Sequence, residues 1–309
     1  MTGDRLTYPL RHAGLDHNWF THEPTIKRMP IVWPEGRRVA LWITVPVEFF
    51  PMDVTALPVR PVGTLDRGYP DYWSYSNRDY GPRIGIFRIM RILDGLGLRA
   101  TAAVNSAAAT RYPRVIDELL QRDWEFMASG IDMGQPHHGK LSVEDERFLI
   151  WTAHEVLTKA TGKKIAGWHS PGHSQSMQTL PLLAERGLEY VTDWANDDLP
   201  YIMSTPSGQL CAMPLTYEWS DRVLLVHHNL TVEDYEAQVM EAFHRLHGEA
   251  GQYRGGRILS LSVSPWVLGY PHRIGALERV LTRIMQVGSV WQATGMEIVA
   301  AFKSQVSHP

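Results

Sequence analysis

The sequence predicts an α/β fold: a distorted (β/α) barrel of seven or eight strands, forming a single domain with an N-terminal arm. Apolar segments typical of strands alternate with segments of helical spacing along most of the chain, which indicates a parallel sheet. No dinucleotide glycine motif or phosphate loop follows the first strand, and no reversal of the sheet is evident, so a barrel is favoured over an open sheet. We place the arm at residues 1–37 and the barrel at residues 38–309.

The first elements illustrate how the strands and loops are recognised. Residues 1–37 contain prolines, histidines and aromatic residues without periodicity, as expected for an arm that packs on the domain or on a neighbouring subunit. Residues 39–50 are almost continuously apolar, as in a strand buried on both faces, and this strand ends at Glu48. Residues 51–82 are rich in Pro, Gly, Tyr and Asp, which predicts a long loop at a binding site or an interface.

The remaining elements alternate along the chain. Further strands are predicted at residues 98–105, 124–129, 164–168, 188–193, 210–215, 223–226 and 257–264. Helices are predicted at residues 84–96, 115–120, 142–161, 179–186, 231–247 and 274–285, and residues 290–292 and 296–300 close the chain.

Composition excludes several classes of protein. The net charge of −3 provides no general basic surface for nucleic acid or an anionic membrane. The longest apolar runs are too short to span a bilayer, and the first residues lack the apolar core of a signal peptide. Cys211 is the single cysteine, so an internal disulfide and a cysteine-rich zinc site are both excluded. We therefore expect a cytoplasmic protein without nucleic-acid or membrane partners.

Polar residues cluster where the predicted strands end. In barrels the active site lies at the carboxyl ends of the strands. That rule selects Glu48, Asn105, residues 129–138, 169–173, 193–198 and 264–266.

The order of several motifs resembles the polysaccharide deacetylase (NodB-type) superfamily, and within it the branch of deacetylase-like allantoinases and cyclic imide hydrolases. The matching segments are residues 80–88 (YGPRIGIFR), 98–105 (LRATAAVN), 167–172 (GWHSPG), 193–201 (DWANDDLPY) and 265–274 (PWVLGYPHRI). The resemblance extends from about residue 38 to the end. It implies a distorted (β/α) barrel, an amidohydrolase activity and a homo-oligomer.

The departures from the family pattern concern its metal site. The family usually has Asp at the end of the first strand, where this chain has Glu48 as in the allantoinase-like branch. Ser129 and Met133 stand where the metal-binding members have His-x3-His. His169 replaces an arginine, and Ser264 replaces a late histidine. The family's usual metal triad is therefore absent as a triad.

Hydrolysis of an amide requires an activated water, stabilisation of the oxyanion and a proton for the leaving nitrogen. Glu48 is the candidate base, and the alternative is a glutamate that pairs with an arginine to hold the loop. His137 or His138 is a candidate acid or ligand. Adjacent residues of an extended segment point to opposite sides, so one of the two faces the site. His169 completes the catalytic candidates, and His173 on the same loop is weighed for a chemical role beside it. Loop packing is the alternative for His137 and His138.

Other residues are candidates for binding a substrate or a metal. The substrate-binding candidates are Asn105, Ser129, Asp132, Trp168, Trp194, Asp198, Ser264 and Trp266. No cofactor is expected, but a zinc ion remains open, with Glu48, Asp132, His137 and His169 as the residues of suitable type.

The leading functional hypothesis is a hydrolase that acts on a carbon–nitrogen, non-peptide bond of a small cyclic amide, imide or ureide, without the family's usual metal. Aromatic residues at strand ends suit a small planar ring better than a polymer. One alternative is a metal-dependent deacetylase of N-acetylated carbohydrate. A second is a degenerate, non-catalytic family member that binds a small molecule.

Overall fold

The computed structural model describes residues 17–52, 70–253 and 255–306. Its strands are β1 (Val39–Val47), β2 (Thr101–Val104), β3 (Glu125–Ala128), β4 (Gly167–Trp168), β5 (Tyr190–Val191), β6 (Tyr201–Thr205), β7 (Gly208–Ala212), β8 (Arg257–Ser262) and β9 (Val290–Ala293). Its α-helices are α1 (Tyr72–Tyr80), α2 (Ile86–Leu96), α3 (Ser106–Arg111), α4 (Pro113–Gln121), α5 (Val143–Thr161), α6 (Thr179–Glu185), α7 (Val232–Tyr253), α8 (Ile274–Met285) and α9 (Gly295–Val306). Turns of π-helix cover Gly81–Gly85 and Arg222–His227.

One sheet organises the chain. Its strand order is β6-β7-β5-β4-β3-β2-β1-β8, and β9 lies beside the first half of β1. Every pairing is parallel except the antiparallel pair of β6 and β7. Within the described ranges no pairing joins β8 to β6, so the sheet is a curled, open half-barrel. The predicted fold class is confirmed.

The centre of the sheet is β1, which pairs with β8 on one side and with β2 and β9 on the other. All nine of its residues are buried, because helices cover both faces of the sheet. Local signals end the helices as expected. Ser142 accepts a hydrogen bond from the Asp145 backbone N–H at the start of α5, and Gly97 and Gly162 adopt the left-handed conformation after α2 and α5.

The structure adds α3 and β6, which were not predicted, and two segments near the site differ from their predicted type. Residues 72–82 were expected to lie in a loop, but α1 begins at Tyr72, with Asp71 as its N-cap, and continues through the π-turn into α2. Residues 223–226 were expected to form a strand but lie in the second π-turn. Arg78 of the first segment and Arg222, which begins the second π-turn, both reach the site. Residues 53–69 of the predicted loop lie outside the described residues.

The described part of the arm packs on the edges of the sheet. The carbonyl of Trp19 accepts a hydrogen bond from Ser204 of β6, and the indole of Trp33 donates to the carbonyl of Arg257 at 2.9 Å. The division at residue 37 stays a prediction. None of the helices described here is long and apolar enough to cross a bilayer.

Candidate active site

The carboxyl ends of the parallel strands meet on one rim of the half-barrel. Glu48 follows β1, His169 follows β4 and Asp193 comes two residues after β5. Arg222 begins the π-turn that precedes α7 and reaches the same rim, where it pairs with Glu48. Four segments that are distant in sequence therefore supply the charged groups of the site.

The central contact is a buried ion pair. Arg222 donates from a terminal guanidinium nitrogen to Oε2 of Glu48, and the indole Nε1 of Trp266 lies 3.4 Å from the same oxygen. The Glu48 side chain is 5% exposed and that of Arg222 is 23% exposed. Nε of Arg222 also donates to Oγ of Ser264 at 2.9 Å. Burial would lower the pKa of Arg222, but the Glu48 carboxylate outweighs it, so Arg222 stays cationic. The pairing of Glu48 with an arginine, which the sequence left open as an alternative, is present.

A second guanidinium lies nearby. Arg78 of α1 lies over the ring of Phe50 at 4.3 Å and over Trp266 at 5.5 Å, while Arg222 lies 5.3 Å from the Trp266 ring. Burial lowers the pKa of Arg78 to about 10, and the Glu48 carboxylate opposes that shift. Both arginines are therefore charged at neutral pH, and aromatic faces fix their positions.

Two histidines and an aspartate form a compact cluster beside this pair. The rings of His169 and His173 meet edge to face with centroids 4.6 Å apart. Nδ1 of His169 lies 3.6 Å from Oδ1 of Asp193 and 2.9 Å from Oγ1 of Thr192. One ligand atom from each of His169, His173 and Asp193 can be chosen so that all three lie within 4.8 Å of one another. On the outer side the His173 ring contacts Tyr217, with centroids 5.6 Å apart.

Burial determines the charge of this cluster. It holds the pKa of His169 well below its usual value and lowers that of His173, and the Arg222 cation adds to both shifts. Burial also raises the pKa of Asp193, against hydrogen bonds that stabilise its ionised form. The two imidazoles are therefore neutral at neutral pH, and each has one unprotonated nitrogen. The charges of Glu48 and Arg222 are close enough to act on His173.

The other predicted histidines lie elsewhere. His137 is fully buried, with Nδ1 3.0 Å from Oε1 of Glu146, and its ring meets Trp168 edge to face. His138 is exposed and its Nδ1 accepts a hydrogen bond from the Lys140 backbone N–H. Asp132 caps its own turn by accepting from the Gly134 N–H at 2.8 Å. His137 is therefore the buried member of the histidine pair, but its side chain contacts Glu146 and not Glu48.

The positions that the resemblance matches to the metal histidines of the family hold a structural network. Asn105 accepts from the Phe49 backbone N–H at 2.8 Å and donates to the carbonyl of Ser129, which ties the ends of β1, β2 and β3 together. Ser129 and Met133 are both buried. A hydroxyl and a thioether do not replace two imidazoles as ligands. These residues therefore do not fit the metal set of the family.

Two of the predicted tryptophans have a structural role, and one lies at the ion pair. Trp168 is fully buried and its indole donates to Oγ of Ser170 at 2.8 Å, so it leaves no face for a substrate. Trp194 donates to Gln175 and packs on His17 of the arm. Asp198 is exposed, and within the described ranges no hydrogen bond or ion pair joins it to Glu48. Of the predicted aromatic contacts, Trp266 is the one that reaches the ion pair.

The sequence did not single out Arg78, Arg222 or Asp221. Asp221 is buried beside Arg222, and one of its oxygens accepts from the Ser264 backbone N–H at 2.7 Å. Arg78 was missed because its segment was assigned to a loop. Arg222 was missed because it was placed just before a predicted strand. The Asp71 N-cap is a sequence signal that could have found the helix of Arg78. The apolar residues that follow Arg222 are contiguous and give no helical signal.

The half-barrel, with its charged groups on the carboxyl rim of parallel strands, defines the class: a deacetylase-like, distorted (β/α) barrel. Residues 72–191 match the sequence model of the polysaccharide deacetylase family. The resemblance indicated by the motifs is thereby confirmed for residues 72–191. The family match indicates an enzyme of the amidohydrolase type, as the sequence predicts.

Individual relatives share the fold. The crystal structure of PuuE allantoinase superposes with a TM-score of 0.78 at 22% identity, covering 90% of this chain and 94% of that one. A probable polysaccharide deacetylase from Pseudomonas aeruginosa PAO1 gives the same TM-score, 0.78, at 22% identity, covering 90% and 95%. A curated protein of Schizosaccharomyces pombe, assigned by name to the polysaccharide deacetylases, is 22% identical over 252 residues, 75% of this chain and 76% of its own length.

Proposed function

We propose that the protein hydrolyses a carbon–nitrogen, non-peptide bond in a small cyclic amide, imide or ureide. The single observation that carries this proposal is the buried pair of Glu48 and Arg222, with the Trp266 indole on the same carboxylate oxygen. The pair lies on the carboxyl rim, where enzymes of this architecture place their chemistry. It supplies a carboxylate and a fixed cation in one small region.

Each group suits one step of amide hydrolysis. Glu48 accepts the proton of the attacking water, and its second oxygen is the atom available for that water. Arg222 is held cationic, so its guanidinium complements the negative charge that develops on the amide oxygen. The opening of a ring keeps the leaving nitrogen attached to the product, close to the groups that return its proton.

The choice of a small ring over a polymer rests on the aromatic surroundings. Phe50 and Trp266 present their rings around Arg78, and Tyr217 lies 41% exposed beside His173. Flat aromatic walls suit a small planar substrate. The allantoinase among the structural relatives supports the same substrate class. The reaction is proposed to proceed without a metal at the positions of Ser129 and Met133.

Turnover of allantoin, succinimide and hydantoin, measured as ring opening by wild-type protein, tests the proposal. Glu48→Gln keeps the size of the side chain and removes the base, so kcat is expected to fall by about 10²- to 10⁴-fold. Glu241→Gln, at an exposed position of α7, is the matched control and should leave kcat unchanged. No turnover across the panel would overturn the substrate class, and an active Glu48→Gln variant would overturn the role of Glu48.

The second candidate is a deacetylase of N-acetylated carbohydrate. The family match and the names of the relatives from Pseudomonas aeruginosa and Schizosaccharomyces pombe favour it. Release of acetate from N-acetylglucosamine oligomers, together with failure on the cyclic panel, would replace the first proposal by this one.

A non-catalytic role is the third candidate. A Bacillus anthracis protein described as a pseudoenzyme of the CE4 family shares the fold with a TM-score of 0.51 at 13% identity, covering 89% of this chain and 70% of that one. Ligand binding by both wild type and Glu48→Gln, without turnover of either substrate group, would favour this role. The cytoplasmic location and the homo-oligomer stay predictions.

A further inference from the structure

We propose that His169, His173 and Asp193 form a binding site for a divalent transition metal, with Zn²⁺ as the ion of best fit. This site differs from the family's usual ligand positions, which Ser129 and Met133 occupy. Metal binding there does not depend on which substrate the protein hydrolyses.

The residue types of the cluster suit zinc. Two imidazoles and one carboxylate are a frequent set for zinc, and three protein ligands leave a fourth position open. In a tetrahedral zinc site the ligand atoms are about 3.4 Å apart, from metal–ligand distances of about 2.1 Å. The three ligand atoms here lie within 4.8 Å of one another. Side-chain movements of about 1 Å would therefore close the site around an ion.

The backbone that carries His173 has an uncommon conformation. His173 adopts a left-handed conformation with φ of 56°, directly after Gly172 with φ of 63°. Such a conformation is uncommon for a residue other than glycine and carries backbone strain. Here the turn places the His173 ring against His169. Strain that brings two imidazoles together has a physical reason if an ion holds them.

The outer hydrogen bonds of the cluster orient the ligands. The Thr192 hydroxyl donates to the carbonyl of Trp168 at 3.3 Å, so its oxygen accepts from Nδ1–H of His169 at 2.9 Å. This tautomer leaves the lone pair of His169 on Nε2. Asp193 accepts from the Ser170 backbone N–H and from the Gln175 amide, both at 2.8 Å. Partners of this kind fix metal-binding side chains in the ligating geometry.

The structure does not bring together the metal ligands that the sequence predicted, which were Glu48, Asp132, His137 and His169. Asp132 caps its turn, His137 pairs with Glu146 and Glu48 pairs with Arg222. Among the described residues, His169, His173 and Asp193 are the group of three or more such side chains with ligand atoms this close together.

Metal binding by chelator-treated protein tests the proposal. Zn²⁺ titrated calorimetrically into the wild type should bind with one equivalent and micromolar or tighter affinity. His173→Asn should weaken binding by about 100-fold or more, and Thr192→Val, which removes the outer hydrogen bond, by about 10- to 100-fold. His244→Asn changes an exposed histidine of α7 outside the cluster and is the matched control, with unchanged affinity.

Two measurements on the wild type keep the test decisive if a variant fails to fold, as judged by circular dichroism. Co²⁺ should give visible absorption typical of four- or five-coordinate nitrogen and oxygen ligation, and anomalous scattering from zinc-soaked crystals should place the ion between His169, His173 and Asp193. The proposal is overturned if the wild type binds no zinc, if folded His173→Asn binds it unchanged, or if the ion lies at Glu48, Asp132 or His137. Ring opening is scored separately, so loss of metal binding and loss of the proposed activity are distinguishable.

Discussion

Removal of Arg222 should expose how strongly the central ion pair stabilises the rim. In Arg222→Met the Glu48 carboxylate, 5% exposed, keeps the Trp266 indole at 3.4 Å and the electrostatic attraction of Arg78 but loses its ion pair. Loss of one member of a buried pair costs about 3–5 kcal/mol because the other charge is left uncompensated. Arg222 is itself 23% exposed, so water replaces part of the interaction, and we expect a loss of about 2–4 kcal/mol.

Urea denaturation of four proteins measures this effect: wild type, Glu48→Gln, Arg222→Met and the double variant. The double variant should recover about 1.5 kcal/mol or more relative to the sum of the single losses, because it buries no unpaired charge. The m-values should agree, so that the change lies in stability. The pair of Arg147 and Glu185, with side chains 39% and 43% exposed, is the control and should show no measurable coupling. Additive losses at Glu48 and Arg222 would refute the reasoning.

Three further predictions concern the stability of the elements around the site. Burial raises the pKa of Asp221 to about 7, above its unfolded value of about 3.9, so the folded state holds a proton longer. Stability should therefore fall as pH rises from about 4 to 7, by at most about 4 kcal/mol, and Asp221→Asn should flatten this profile in urea denaturation; parallel profiles would contradict it. A Cβ on Gly85 would lie 2.0 Å from the carbonyl oxygen of Pro265, so Gly85→Ala should lower stability by about 1–3 kcal/mol, whereas Gly95→Ala in the same helical segment meets nothing within 4 Å and should be neutral or slightly stabilising. Glu146→Gln should lower the melting temperature and increase hydrogen exchange in the loop before α6, because the carboxylate joins a buried histidine to two hydroxyls of that segment; unchanged exchange would show that the network does not hold the loop.

The network around Glu146 has a physical basis in its charge. Burial alone would raise the pKa of this carboxyl, but hydrogen bonds from His137, Ser176 and Thr179 outweigh it and lower the pKa. The ionised carboxylate therefore connects α5 to the start of α6. His137, chosen from the sequence as a catalytic candidate, belongs to this connection. Its backbone N–H donates to Oγ of Ser174, close in sequence to His173.

The hydrophobic periodicity of the sequence identified many of the strands and helices, but it did not show which strands become neighbours in the sheet. The apolar run of β1 and the spacing of α2, α5 and α8 identified these elements, because burial on a strand or a helix face leaves a direct mark on composition. Which strand ends become neighbours depends on the sheet order. That order brings β4 and β5, and so His169 and Asp193, side by side.

The contact between His169 and His173 could not be predicted from the sequence either. His169 and His173 were expected near the site because they follow a predicted strand. Pro171 and Gly172 separate them, so no helix fixes their spacing, and their contact depends on one left-handed turn. A backbone conformation of this kind has no clear signature in the sequence when the residue is histidine.

The amino-acid sequence by itself determined the α/β class, the resemblance to the polysaccharide deacetylases and Glu48 at the end of the first strand, because each is a matter of local pattern or of residue identity at a motif. Only the tertiary structure decided that Arg222 pairs with Glu48, that His137 serves a buried network and that His169, His173 and Asp193 converge. These contacts join segments up to 174 residues apart. Their formation depends on the order of the strands in the sheet and on desolvation, which single positions in a sequence do not encode.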